Sequence, residues 1–198
     1  MKTLIILLIC SSSLIAAIGK VYALQGEGSL QRASIDIPIT LGTEIEEKDS
    51  IITNNQTKMQ IVFNDRTIVT LGDKTHFKID SYHFDTKENS HVNFTLKRGA
   101  LKSMTGTIGK WSPQDFTIKT ATAKIGVNGT TLILKVTDKQ TTLATLSGET
   151  TFNNTGSHKK LTVKENKQLI QNNQSKRVHI TSIQSGDIQL GGSSSQRS

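Results

Sequence analysis

Between residues 57 and 80, apolar side chains fall at every second position, in runs of four to six residues cut by turn signals. Met59, Ile61 and Phe63 alternate before Asn64-Asp65-Arg66. Ile68 to Leu71 returns to Gly72-Asp73-Lys74, and Phe77 and Ile79 lead out again. A period of two puts one set of side chains on a buried face and the other in water. No stretch after residue 19 sustains a helical period. Strands this short, with turn signals about every 8–12 residues, predict an all-β sandwich, barrel or solenoid.

The same reading covers Phe116–Leu146. Phe116 and Ile118 alternate with Thr117 and Lys119, Leu132, Leu134 and Val136 with Thr131, Ile133 and Lys135, and a third apolar run spans Leu143 to Leu146. Asn128-Gly129 between the first two strands predicts a turn with Gly129 at positive φ. Leu132 and Leu134 are expected to point inward and Ile133 to the opposite side, where another layer is one option. Tyr82–Phe84 and Val92–Leu96 flank a charged tip, Asp85–Asn89, as a hairpin would. Met104–Pro113 reads as a loop carrying the single tryptophan, Trp111. Trp111 is a candidate for stacking on a sugar ring, or for packing against a sheet edge. Three terminal strands follow Asn153–Lys160, and residues 186–198 read as a flexible tail.

Residues 1–19 have the pattern of a secretory signal peptide: Met1-Lys2, an apolar stretch, then small residues at Ala16, Ala17 and Gly19. Cleavage after Ala17 or after Gly19 fits. The apolar run is short against the roughly 20 residues that span a bilayer, so no transmembrane helix is expected after cleavage. The only cysteine, Cys10, lies in this segment, and Ile9 stands before it where a lipoprotein acceptor needs a small residue. A mature chain without cysteine has neither disulfides nor thiol chemistry.

The net charge of +8 suits anionic surfaces. Nucleic acid is disfavoured, because the basic residues are scattered among acids and no Lys/Arg run interleaves with aromatics. Glu44, Glu46, Glu47 and Asp49 form an acidic patch without the spacing or mid-loop glycine of a calcium loop. It is expected to be a solvated turn. The five histidines form no HxH or HExxH pair, and neither GxSxG nor a Walker sequence occurs. No cofactor or metal is expected, and no catalytic residue stands out.

A string of sparse motifs, strongest over residues 41–152, resembles the FecR-domain family of bacterial envelope proteins. Gly19-Lys20-Val21 through Gly26 resembles its opening strand. Leu41-Gly42 and Lys48-Asp49-Ser50-Ile51-Ile52-Thr53 resemble its "Gly, then Gly-Asp-x-Ile-x-Thr" step, with Lys48 in the glycine place. Phe63-Asn64-Asp65-Arg66-Thr67 resembles "Phe-x-Asp-Gly-Ser", with Arg66 in the glycine place. Leu96 to Leu101, around Gly99, resembles "Leu-x-x-Gly". Phe116 to Thr120 with Ile125 to Leu132, around Gly129 and Thr130, resembles the most specific motif, with Ala121 replacing proline and Asn128 arginine. Gly148-Glu149-Thr150 resembles the later "Gly-x-Val" turn.

The resemblance implies an all-β domain over 20–185, its short antiparallel and solenoid-like stacked strands forming a flattened sandwich or solenoid. Family regulators relay a signal from an outer-membrane receptor and carry a cytoplasmic anti-sigma segment. This chain starts with a signal-peptide pattern instead, so direct sigma-factor control is not implied. The expectation is a periplasmic or secreted, non-enzymatic module that binds an envelope protein or an anionic envelope polymer. A glycan-binding or adhesion module using Trp111 is the alternative, and an envelope polysaccharide enzyme the third.

Overall fold

The computed structural model describes residues 16–157, 159–184 and 189–190. Residues 1–15 of the expected signal peptide and most of the expected tail lie outside them. Fifteen strands are hydrogen-bonded into one open network among the described residues. The first eight are β1 (Gly19–Gln25), β2 (Gly28–Arg32), β3 (Ile35–Pro38), β4 (Glu44–Ile45), β5 (Ser50–Thr53), β6 (Lys58–Phe63), β7 (Ile68–Leu71) and β8 (His76–His83). Then come β9 (His91–Met104), helix α1 (Thr107–Trp111), a 3₁₀ turn (Pro113–Asp115) and β10 (Phe116–Lys119). The chain ends with β11 (Ala123–Val136), β12 (Gln140–Asn154), β13 (Lys160–Lys164), β14 (Lys167–Asn172) and β15 (Val178–Ser182).

Three long strands fold this network into two facing layers. The first half of β9 pairs with β8 and β10, and its second half with β7 and β11. β11 and β12 change partners in the same way. The changes occur at Gly99, Gly129 and Gly148, with φ of +93°, +55° and +77°. Layer one therefore runs β4-β1-β6-β7-β9-β11-β12-β14-β15, and layer two β3-β2-β5-β8-β9-β10-β11-β12-β13. The all-β expectation holds, and of the flattened sandwich and solenoid that the resemblance left open, the strand order gives two facing layers. Phe63 of layer one lies 5.5 Å from the Tyr82 ring and 5.1 Å from the Phe94 ring of layer two. Val21, Ile61, Leu101, Leu132, Leu134, Phe116 and Phe152 are buried in the core between the layers.

The structure corrects three local readings and adds a hairpin. Asn128-Gly129 does not join two strands; it is the bend within β11. Asn-Gly supplies the same positive-φ backbone to a hairpin and to a corner, so local sequence cannot separate them. The Met104–Pro113 loop contains α1, a single helical turn too short to show a period. Residues 30–39 hold a hairpin, β2–β3, turning at Ala33 and Ser34, both at positive φ. Asp49 is not in a solvated turn. It is fully buried, and its carboxylate accepts from Arg32 Nε at 2.9 Å and Nη2 at 2.8 Å. Arg32 Nη1 also meets Glu46 at 2.6 Å, so the acidic patch carries its own cation. The bond to Asp49, more than Glu46, raises the Arg32 pKa against the opposing effect of burial.

Gly26, Gly42, Gly99, Gly129 and Gly148 are the positive-φ glycines of the described chain, and all five belong to the family-like motifs. Lys48 and Arg66, which fill glycine places in those motifs, also sit at positive φ, 73° and 69°. The left-handed region costs a residue with Cβ about 1–2 kcal/mol, whereas glycine loses more chain entropy by about 0.5–1 kcal/mol. Arg66→Gly is therefore expected to raise unfolding stability by about 0.5–1 kcal/mol, read from denaturant midpoints. A Gly variant less stable than the parent would show that the Arg66 side chain contributes to the fold.

Candidate functional site

Among the described residues the two layers offer two outer faces and four sheet edges. The outer face of layer one is unusual in what it hides. Pairing registers set Gln60, Thr70, Lys102, Ile133, Ala144 and Gln168 in one row across six strands. Outward residues of a two-layer sandwich normally face water. Yet Ile133 and Ala144 are each 2% exposed. Ile133 does face away from Leu132 and Leu134, as the alternation predicts, but it is not solvated.

Two residues from the C-terminal part of the chain, Gln189 and Leu190, lie on this face. Gln189 and Leu190 line a groove of about 1080 Å³ together with Ala23, Leu24, Gln60, Thr70, Lys102 and Ile133. The Leu190 carbonyl comes so near Gly72 that a Cβ there would stand 2.0 Å from its oxygen. Gly72 is buried and is not among the positive-φ residues. Glycine is needed at this position for close approach rather than for backbone freedom. No local pattern signals this contact, because Gly72-Asp73-Lys74 reads fully as a turn.

A smaller groove of about 400 Å³ lies on the outer face of layer two, lined by Gln114, Thr117, Lys124, Gly126, Asn153 and Lys160 among others. Lys119, Lys124, Asn153 and Lys160 form a row across four strands. Trp111 lines neither groove. It is 41% exposed and its ring lies 6.0 Å from that of Phe84.

The motif residues are structural neighbours of the bends. Phe63 and Phe116 are core residues. Thr130 is buried and its hydroxyl donates to Asn128 O at 2.8 Å and Glu149 O at 2.9 Å, closing the β11 corner. Asp65 is fully buried. Its carboxylate accepts from Thr67 N, Thr67 Oγ1, Tyr82 OH and Ile108 N at 2.8–3.3 Å. Burial, then the Asp65 charge, pushes the Tyr82 hydroxyl pKa far upward, so it stays a neutral donor. Sequence inspection named Asp65 but missed Tyr82, which lies 17 positions away.

The nearest approach to a nucleophile–base pair is Ser50 Oγ and His76 Nε2, 2.8 Å apart. Burial first, then Lys97 and Arg98, holds the His76 pKa below its ordinary value. No carboxylate among the described residues bonds the other ring nitrogen, so the orienting third group of a triad is missing there. Among the described residues no group of three or more His, Cys, Asp or Glu side chains could hold a metal, and no helix is long and apolar enough to cross a membrane.

The family described as FecR protein matches residues 49–151, just over half of the 198 residues. The chain belongs to the FecR family. The matched span runs from buried Asp49 through both halves of β9 and β11 to the corner at Gly148, so it contains the bends that make the two layers. No curated protein matches this FecR chain. Two crystal structures of a candidate anti-sigma factor from Parabacteroides distasonis ATCC 8503 share the fold. They have TM-scores of 0.56 and 0.55 at 17% and 18% identity, and each alignment covers 67% of this chain. It covers 59% of the other chain in each case, so about two fifths of those proteins has no counterpart in the alignment.

Proposed function

We propose that this FecR protein is an exported, non-enzymatic module of the bacterial envelope that binds a protein partner, in a signalling relay, through the outer face of layer one. The observation that carries this reading is the groove over Ile133, which already takes a piece of polypeptide, Gln189–Leu190, against Gly72. A face that packs backbone against a side-chain-free position, with an apolar floor and a polar rim, suits an extended segment of another protein. Family membership supports the signalling role and the non-enzymatic reading. The test compares tagged residues 18–198 with 18–184 as bait in native envelope extract. The shorter chain, with its groove cleared, should capture the same envelope protein at least several-fold more strongly. Equal capture of nothing specific by both would refute the assignment.

Export is the second half of the reading. Ala17 O accepts from Asn64 Nδ2 at 2.9 Å, Ile18 N donates to Ile45 O at 2.8 Å, and Gly19 pairs with Phe63. Cleavage after Gly19 would remove all three of these residues, whereas cleavage after Ala17 spares Gly19, Ile18 and the Ile18 bond to Ile45. The product in the envelope is expected to start at Ile18, measured by intact mass. A retained Met1 or a lipidated Cys10 would contradict export by this route.

A second reading, an anionic polymer on layer two, rests on Lys119, Lys124 and Lys160, none of which has an acidic partner within 4.0 Å among the described residues. It predicts that acidic polysaccharide retains the protein on a column and that Lys124→Gln with Lys160→Gln releases it at lower salt.

A further inference from the structure

The four ends of the two layers differ in how they treat their unpaired backbone. An exposed edge strand templates further pairing unless it is short, charged, bulged or interrupted by proline. β4 has two residues. On β3, Ile39 N donates to Gly28 O, so residues 37 and 35 bond to β2 and the outward positions are Asp36 and Pro38. Pro38 has no N–H, and Asp36 is charged. On β13, Asn154 N donates to Lys159 O, which leaves Lys160, Thr162 and Lys164 outward. Three edges are thus guarded.

β15 is not. Asn172 N donates to Arg177 O and Ile183 N to Asn166 O. By the alternation of antiparallel pairs, residues 179 and 181 bond inward to β14. Val178, Ile180 and Ser182 then direct N–H and C=O to the open side, with no proline, no charge and no bulge among them. Ile180 is paired with fully buried Leu169, so its side chain is on the core-facing side of the sheet, yet it is 45% exposed. It is a core position at which the sheet has run out of strands.

We infer that this edge pairs with the β15 edge of a second copy of the chain, antiparallel about a two-fold axis through Ile180. The register is self-complementary. Ile180 meets Ile180, Val178 meets Ser182, and both pairs are of the hydrogen-bonded type that the outward groups require. The local cations, Lys176 and Arg177, fall opposite uncharged Gln184 and Ile183 of the partner copy rather than opposite each other. Like charges therefore do not oppose the pairing, which an arbitrary basic edge on a chain of net charge +8 would not ensure. One strand pair covers far less than the roughly 1,200–2,000 Å² of a stable complex, so the dimer is expected to be concentration-dependent. It uses an edge, leaving the outer-face groove open to a different partner.

The test uses mature protein from residue 18, which contains no cysteine. Sedimentation across a wide concentration range should show the mass rising toward twice the monomer. Ile180→Pro, which removes only an outward N–H, should weaken association at least tenfold while the melting curve stays close to that of the parent. Ile180→Cys should cross-link into a disulfide dimer under mild oxidation, because directly opposed Cα atoms stand about 5.5 Å apart. Thr181→Cys, on the opposite face and off the axis, should cross-link far less. A monomer at every concentration, or equal cross-linking from both positions, overturns the proposal. So does loss of an envelope protein from Ile180→Pro without any change in self-association, which would give the edge to a foreign strand.

Discussion

Asp65→Ala should lower the unfolding free energy by about 3–5 kcal/mol, because several buried donors lose their acceptor together. Four donors converge on the carboxylate. They come from the β6–β7 turn, from β8 and from the first turn of α1, so one side chain joins three parts of the chain that sequence keeps far apart. Alanine leaves each donor buried without an acceptor, at about 1–3 kcal/mol per group before relaxation. Asp65→Asn keeps one acceptor oxygen and should lose about half as much. Chemical denaturation with circular dichroism reads both. A loss under 1 kcal/mol for Ala would mean that water replaces the carboxylate and that the network is not closed.

Gly99→Ala is expected to be comparably severe. A Cβ there would lie 2.4 Å from both Thr75 Cα and Thr75 Oγ1, and the backbone is already at φ +93°. Left-handed strain of about 1–2 kcal/mol adds to overpacking of about 1–3 kcal/mol. Thr75 cannot move freely, since its hydroxyl accepts from Ala100 N at 3.0 Å. The bend at Gly129 provides the control, because a Cβ built there meets nothing within 4 Å. Gly129→Ala should therefore cost about 1–2 kcal/mol, from strain alone. Leu134→Ala, at a fully buried position, should cost about 2–5 kcal/mol and exceed Trp111→Ala. Equal effects at Gly99 and Gly129 would remove the steric half of the argument.

What could be read in advance follows from the range of the forces involved. Strand alternation is local, so β6, β7, β8 and the β8–β9 hairpin were legible from Met59, Ile61, Phe63, Phe77 and Ile79. The motif glycines were legible as a family pattern, and the resemblance led correctly to a layered all-β fold. What the backbone does at Asn128-Gly129 was not, because a hairpin and a corner ask the same of φ. The fate of Asp49 depends on Arg32, across a hairpin whose Ala33-Ser34 turn has no strong turn chemistry. The groove was least legible of all. It depends on Leu190 reaching Gly72, a contact over 118 positions, and on what covers Ile133, which alternation turns away from the core without naming its cover. Trp111 drew notice by composition, but its ring lies against Phe84 outside both grooves.

The central claim is that a protein partner docks on the outer face of layer one. A photo-cross-linking residue placed at Lys102, in the groove, and separately at Lys119, on layer two, tests it in the native envelope. The account expects a discrete adduct to one envelope protein from position 102, strengthened when residues 185–198 are removed, and none from position 119. An adduct from position 119 with none from position 102 would contradict it.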